Sequence, residues 1–450
     1  MQDCGVHQDD VSHGDERRDA RHNLSAPSGS KLSKLEVFFR FVNQDLFTIA
    51  DVPKQDSQIV IARCRELAGI SDVSGGTFRT FLSPAMGRCY EVVGRWMKRA
   101  GMTVRMDAAG NLRGLRHGGN RVLLLGSHLD TVRDAGAFDG ILGVMLAIAI
   151  VENLGEQELP FAIEVIGFSE EEGVRYVPFI GSRALVGTLD EQTLEMKDSA
   201  GITMAQAIRS FGLDPGAIPR DALAATALGF LEFHIEQGPI LESAGESVGI
   251  VNAIAGQTRA TVKFIGSANH AGTTPMHLRR DALAGAAQWI SAVEHLASNT
   301  PHLVATNGKI ESQPNIGNVI AAEVALSLDL RHSDDNVREN ACAALRESAH
   351  QIADQRKLKL SWIGTLNQKS VHMDQSLTRA LAAAAPAGTR HMTSGAGHDA
   401  MTVAPYIPSA MLFLRSPGGI SHHPAENVLP EDVDLALSIG QRFIESMREF

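Results

Sequence analysis

Cysteine is scarce in this chain: its 450 residues include only 4. Cys4, Cys64, Cys89 and Cys342 lie far apart and form no CxxC pair, which excludes a disulfide framework or a zinc knuckle and fits a reducing compartment. Excess positive charge is also missing. Against 52 Asp+Glu stand 41 Lys+Arg, for a formal net charge of −11. That is the wrong sign for a nucleic-acid partner, whose phosphates demand a basic face. No apolar run approaches the ~20 residues needed to span a bilayer; the longest, Ile141 to Val151, reads as a buried helix. The N-terminus has no apolar secretory stretch either. Residues 1–45, polar and rich in His, Asp and Arg, read as a disordered tail, and the cytoplasm is the expected location. Aromatics are few at 5%, whereas 42 glycines mark many tight turns.

What is present is ordinary for a globular protein, with 44% hydrophobic and 21% charged residues. The length implies two domains rather than one core. Helical spacing recurs over 57–68 and 85–100, and a hairpin is expected over 103–116 with its turn at Asp107 to Asn111. Residues 121–125 (RVLLL) and 161–168 (FAIEVIGF) are continuous apolar runs of the kind buried on both faces of a sheet. The apolar helix over 140–154 separates them, giving the strand–helix–strand rhythm of an α/β domain. After about residue 250 the texture changes. Alternating strands at 261–266, 322–331 and 358–363 interleave with helices at 280–298 and 335–355. The economical reading is a central mixed sheet with helices on both faces, formed by 46–250 and 366–450. A small α+β domain over 251–365 is inserted within it.

Four segments carry chemistry. In GSHLDTV, His128 and Asp130 stand two apart at a strand end and point to one side, so Asp130 can hold one ring nitrogen of His128 while the other meets a metal. Asp139 follows in GAFDG, between glycines that permit close backbone approach. Glu170, Glu171 and Glu172 crowd the end of the next buried strand, where like charges repel unless a cation compensates and where open α/β sheets bind ligands. His234 follows an apolar run in FHIEQGP, and His422 and His423 follow the strand-like 409–414 in GGISHHPAE. Each taken alone reads as a surface histidine, a helix cap or a solvated acidic loop. Together they offer the donors for two divalent ions sharing one carboxylate.

The ordered motifs GSHLDTV, FDGILGV, EEGVR, HIEQGP, NHAGTTPM, PNIGNV, SGAGHDAM and GGISHHPAE resemble the dinuclear metallohydrolase family that contains aminoacylases and carboxypeptidases. Within it they resemble the carbamoyl-hydrolase branch of N-carbamoyl-L-amino acid hydrolases, β-ureidopropionases and allantoate amidohydrolases. The resemblance runs from about Ile59 to the C-terminus. It implies that Asp139 bridges two metals, with His128 and His234 completing one site and Glu172 and His422 the other. His422 is chosen over His423 because the family's ligand directly follows the serine. The resemblance further implies that Glu171 is the general base, that Asp130 orients His128, and that His398 and Asp399 support the site. His270 would polarise the scissile carbonyl, in its own or a partner subunit, and Gln237, Asn318 and Arg331 would bind substrate. Read without the resemblance, Arg331 is a strand-end salt bridge to Asp329 or Asp334.

The inserted domain resembles the family's lid and dimerisation domain, which implies a homodimer. Two divalent ions per subunit are implied, manganese in the allantoate branch, with zinc or cobalt as alternatives. The substrate implied is a small anionic ureido compound. Arg415, before the GGISH loop, resembles the allantoate enzymes, whereas FIGSRALVG occurs in allantoate and carbamoyl-amino-acid enzymes alike. N-carbamoyl-L-amino acid hydrolysis or β-ureidopropionase activity is the alternative. HIEQGP and PNIGNV disfavour a peptidase, and the intact Glu171 and ligand set speak against a binding protein that has lost catalysis.

Overall fold

The computed structural model describes residues 56–223 and 227–449; the expected tail over 1–45 lies outside them. The strands are β1 (Thr77–Arg79), β2 (Thr103–Met106), β3 (Leu112–Arg116), β4 (Val122–His128), β5 (Thr131–Ala135), β6 (Ala162–Phe168), β7 (Ala227–Ile235) and β8 (Val248–Ile254). There follow β9 (Gly256–Ile265), β10 (Val304–Thr306), β11 (Ile310–Gln313), β12 (Glu323–His332), β13 (Lys359–Gln368), β14 (Val371–His372), β15 (Arg390–Ser394) and β16 (Ser409–Leu414).

A nine-stranded sheet runs in the order β14-β8-β16-β7-β4-β6-β3-β2, with β15 also paired to β8. Its centre, β16-β7-β4-β6, is parallel, while β2–β3 and β3–β6 are antiparallel. This is the mixed sheet expected from the sequence. Successive residues of the central strands enter different cores. Leu123 and Leu125 pack in one apolar cluster with the helix Ile141–Leu154, whereas Leu124 packs on the other face with Phe230 and Met411. Both faces are covered, which is why these strands read as unbroken apolar runs. The helix Ile141–Leu154 is buried from Ile141 to Glu152, as an all-round apolar helix must be. Each such Leu or Ile contributes ~1.5–3 kcal/mol on burial. The hairpin over 103–116 forms as β2–β3, its turn closed by Asp107 Oδ1, which accepts from the Ala109 and Asn111 amides.

The smaller sheet, β10-β12-β9-β13 with β11 beside β12, is antiparallel. Burial alternates residue by residue along β12, the signature of a sheet covered on one face only. The helices Ala282–Ser298 and Asp335–Gln355 supply that cover. Trp289 lies fully buried between them and donates its indole N–H to Leu345 O at 2.9 Å. Strand β9 begins earlier than the alternation at 261–266 predicts, at Gly256, and β13 runs on to Gln368. The two sheets join at neighbouring points, because Ile254 pairs with Val371 in one and Gln257 with Gln368 in the other.

Candidate metal centre and active site

The C-terminal ends of four adjacent parallel strands converge. His128 ends β4, Glu171 and Glu172 follow β6, His234 is the penultimate residue of β7, and His422 lies on the loop after β16. Strand β4 has β6 on one side and β7 on the other, and at such a reversal the loops part to open a crevice. Asp139 reaches this point from the turn before helix Ile141–Leu154. The turn passes so near His128 that a Cβ on Gly140, whose φ is +70°, would lie 2.3 Å from the ring nitrogen Nε2. Only glycine can occupy that position.

Besides His128/Glu171/Glu172, the donors form two interlocking triads, His128/Asp139/His234 and Asp139/Glu172/His422, the ligand atoms of each lying within 4.8 Å of one another. Asp139 belongs to both. Its Oδ1 lies 3.4 Å from His234 Nε2 and its Oδ2 3.0 Å from His422 Nε2. Glu172 Oε1 is 3.5 Å from His422 Nε2, and Glu171 Oε2 is 4.0 Å from His128 Nε2. The backbone fixes the tautomers. His128 Nδ1 meets Asp130 O and His234 Nδ1 meets Ile235 O, both at 2.9 Å. A carbonyl only accepts, so each Nδ1 carries the hydrogen and each Nε2 presents a lone pair. Those two lone pairs face each other at 3.5 Å, an arrangement that requires a proton or cation between them. Asp139 Oδ2 is buried and makes no hydrogen bond of its own. The donor chemistry, the shared carboxylate and the orphaned oxygen together fit divalent metal.

The charges respond to this crowding. Burial drives the Glu171 carboxyl well above its ordinary value, with Glu172, Asp399 and Asp130 adding to the rise and His128 opposing it. Glu172 is pushed up to about 7, chiefly by burial. Burial would raise Asp139 too, but His422, His234 and His128 outweigh it and hold that carboxyl below the usual range. His422 is raised to about 9, first by the Asp139 carboxylate, whose Oδ2 stands 3.0 Å from its Nε2. His423 turns away, accepting the Ala425 amide on its own Nδ1 at 3.1 Å, so the structure brings His422 rather than His423 to the cluster.

Asp130 corrects one expectation. It is the backbone carbonyl of Asp130, not its carboxylate, that holds His128; Oδ1 stands 3.8 Å from Nδ1. The carboxylate instead accepts the Glu171 and Glu172 amides at 3.0 and 3.1 Å and so sets the turn that presents both glutamates. Glu170 faces away and accepts the amides of Phe81, Arg175 and Tyr176. His398 packs edge-on against His234 at 4.4 Å between ring centroids and meets Ser394 Oγ at 2.9 Å; Asp399 is fully buried.

Two residues escaped the sequence reading. Glu426 Oε1 accepts the Phe138 and Asp139 amides at 2.9 and 3.0 Å, and Oε2 accepts Ser421 Oγ at 3.2 Å. It therefore ties the loop of Asp139 to the loop of His422. Its only sequence signal was its place in the HHPAE motif. Ser416 Oγ accepts the Gln237 amide at 3.0 Å, and Gln237, at φ +57°, donates Nε2–H to Asp139 Oδ1 at 2.8 Å.

Other expected residues stand apart from the cluster. His270 is exposed on the smaller unit, its Nδ1 accepting the Gly272 and Thr273 amides. Asn318 is its neighbour through Ala271 N–H to Asn318 O at 2.9 Å. Arg331 forks onto Asp329 at 2.7 and 3.0 Å, the salt bridge that the residues alone implied. Arg415 is a further correction. Its guanidinium grips the fully buried Asp432 through two bonds of 2.9 Å, so its role is to seat helix Pro430–Ser446 and it gives no sign of the substrate.

The chain belongs to the peptidase family M20/M25/M40, whose model matches residues 124–446. Among curated relatives, an allantoate deiminase of Arabidopsis thaliana is 38% identical, over 86% of this chain and 81% of its own length. An N-carbamoyl-L-amino acid amidohydrolase of Geobacillus stearothermophilus is 40% identical over 80% of this chain and 90% of its own. A solved amidase of the hydantoinase/carbamoylase family from Burkholderia multivorans superposes with a TM-score of 0.82 at 32% identity, covering 88% of this chain and 98% of that one.

Proposed function

We propose that this chain is a two-metal amidohydrolase that cleaves allantoate to ureidoglycine, ammonia and carbon dioxide. The observation that carries the reading is the pair of donor triads sharing Asp139, with Glu171 alongside. Asp139 would bridge the ions, with His128 and His234 on one side and Glu172 and His422 on the other. Bound there, two divalent cations would polarise the scissile carbonyl and acidify the attacking water, manganese being favoured over zinc or cobalt. Glu171 takes the water's proton as the oxygen attacks the ureido carbon, then hands it to the leaving nitrogen. Its raised affinity for a proton suits that shuttle. The released carbamate decomposes to carbon dioxide and ammonia.

The larger unit, through Ile254 and again from Val371, is assigned to catalysis, and the stretch between them, near the 251–365 expected from the sequence, to a lid that also pairs two copies as a homodimer. From that lid, in its own or a second subunit, His270 is assigned to the carbonyl oxygen, with Asn318 and Arg331 of the lid and Gln237 of the larger unit on the rest of an anionic ureido substrate. Among the described residues no helix is long and apolar enough to cross a membrane, and a cytoplasmic location is proposed.

The second reading, hydrolysis of an N-carbamoyl-L-amino acid, is favoured by the 40% identity to such an enzyme. Ammonia release by manganese-loaded protein, offered both substrates side by side, decides between them. Turnover of allantoate alone is expected. A preference for the carbamoyl amino acid would transfer the site to the sister activity, and silence on both with metal bound would remove the amidohydrolase reading.

A further inference from the structure

Strands β9 and β12 set four polar side chains in a two-by-two array. In the antiparallel register Asp329 lies opposite Arg259, and Arg331 opposite Gln257; residues two apart on a strand share a face. Asp329 is the hub. Its Oδ1 accepts Arg331 Nε at 2.7 Å, and its Oδ2 accepts Arg331 Nη2 at 3.0 Å, Arg259 Nε at 2.9 Å and Gln257 Nε2 at 3.0 Å. Two guanidinium groups against one carboxylate leave the array with a surplus positive charge.

That surplus faces the larger unit. Arg331 Nη1 donates to Gly395 O at 2.6 Å, one residue after Ser394, whose hydroxyl meets the His398 ring that packs edge-on against His234. A guanidinium carries five N–H groups. Asp329 takes the one on Nε and one on Nη2, and Gly395 takes one on Nη1. One N–H on each terminal nitrogen is left without a protein partner among the described residues. The Nε/Nη2 edge is thus committed to Asp329, and the far end of the fork reaches the larger unit at Gly395.

We propose that Asp329, itself fixed by Arg259 and Gln257, is a positioning residue that clamps the Nε/Nη2 edge of Arg331. The remaining Nη N–H groups and the surplus charge of the array then receive the carboxylate of an anionic ureido substrate. The inference rests on the reading of Arg331 as the substrate's carboxylate partner. Its physical content is pre-organisation. An arginine already held in one rotamer surrenders less freedom when it meets a carboxylate than one that must be ordered by the substrate itself. Asp329, with its charge already shared among three donors, does not neutralise the fork and leaves it cationic.

The test is steady-state kinetics of metal-loaded enzyme on a ureido carboxylate and on the corresponding neutral carboxamide. Asp329→Asn is expected to raise KM for the carboxylate roughly tenfold to a hundredfold, with kcat nearly unchanged and KM for the carboxamide unmoved. Arg259→Gln should shift the same KM in the same direction by less, and Asp329→Glu should recover part of the loss. If Arg331→Ala raises KM but Asp329→Asn and Arg259→Gln do not, Asp329 positions nothing and the proposal is overturned. Equal changes for carboxylate and carboxamide would reduce Asp329 to a structural salt bridge and overturn it as well. If Arg331→Ala itself leaves KM unchanged, it is the reading of Arg331 that fails. Should Asp329→Asn not fold, Arg259→Gln and Gln257→Ala carry the same comparison, since both leave the Asp329–Arg331 pair in place.

Discussion

At the scale of single residues, the site separates groups that would touch the reacting atoms from groups that hold them. Glu171 belongs to the first kind. Its Glu171→Gln variant keeps shape and loses the base, so turnover is expected to fall by ~100-fold or more while metal content, read by elemental analysis, stays at the wild-type level. A loss of metal along with activity would make Glu171 a ligand rather than a base. Glu426 belongs to the second kind, because it accepts the Asp139 amide and the Ser421 hydroxyl together. Glu426→Ala is expected to weaken metal affinity by ~10–100-fold in calorimetric titration; an unchanged affinity would show that the two loops hold their shape without it. Most donors were legible in the sequence because they follow apolar runs: His128 after RVLLL, Glu171 and Glu172 after FAIEVIGF, His422 on the loop after SAMLFL. Their roles, and that of Asp139, were implied by the resemblance of the motifs around them. Glu426, and the partners of Asp130 and Arg415, were not legible. Their hydrogen bonds join residues distant in the chain or turn on a side chain's rotamer, and no periodicity records either.

At the scale of elements, helix Pro430–Ser446 closes one face of the larger sheet, with Val433, Leu437 and Phe443 in its core. Its first turn carries Asp432, fully buried and matched by Arg415. Arg415→Ala would strand that carboxylate, and a loss of ~3–5 kcal/mol is expected in urea unfolding. The ratio of activity on allantoate to that on N-carbamoyl amino acids should not move. A changed ratio with unchanged stability would return Arg415 to the substrate. The long helices and the central strands were readable because burial imprints a period on them. The run of short helices between Ile180 and Asp221 was not read, since four- to eight-residue elements hold too few turns to show one.

At the scale of the whole molecule, carboxylates packed at one end of a sheet make stability depend on pH. Burial pushes Glu172, Glu232 and Glu426 up to about 7 and Glu170 to about 8, from an ordinary 4.5. A carboxyl raised by folding favours the folded state while protonated. That contribution is complete below the ordinary value and is lost as pH rises through the raised ones. Chelator-treated protein is therefore expected to lose stability between about pH 5 and pH 8, and restoring a divalent ion should flatten or reverse the trend as the ion replaces the protons. Denaturant titrations across that window measure both curves. A chelator-treated protein that grew more stable with pH would contradict the account.

The junction of the two sheets has a consequence for inheritance. The chain leaves the larger sheet after Ile254 and re-enters it at Val371, and those two residues are paired strand to strand. To the larger sheet, everything between them amounts to a wide hairpin loop. A gene rearrangement that lengthened, shortened or exchanged that stretch would leave the order and direction of the metal-bearing strands intact. On the proposed reading of that stretch as a lid, an exchange there would change what meets the substrate and leave the metal-bearing strands where they are.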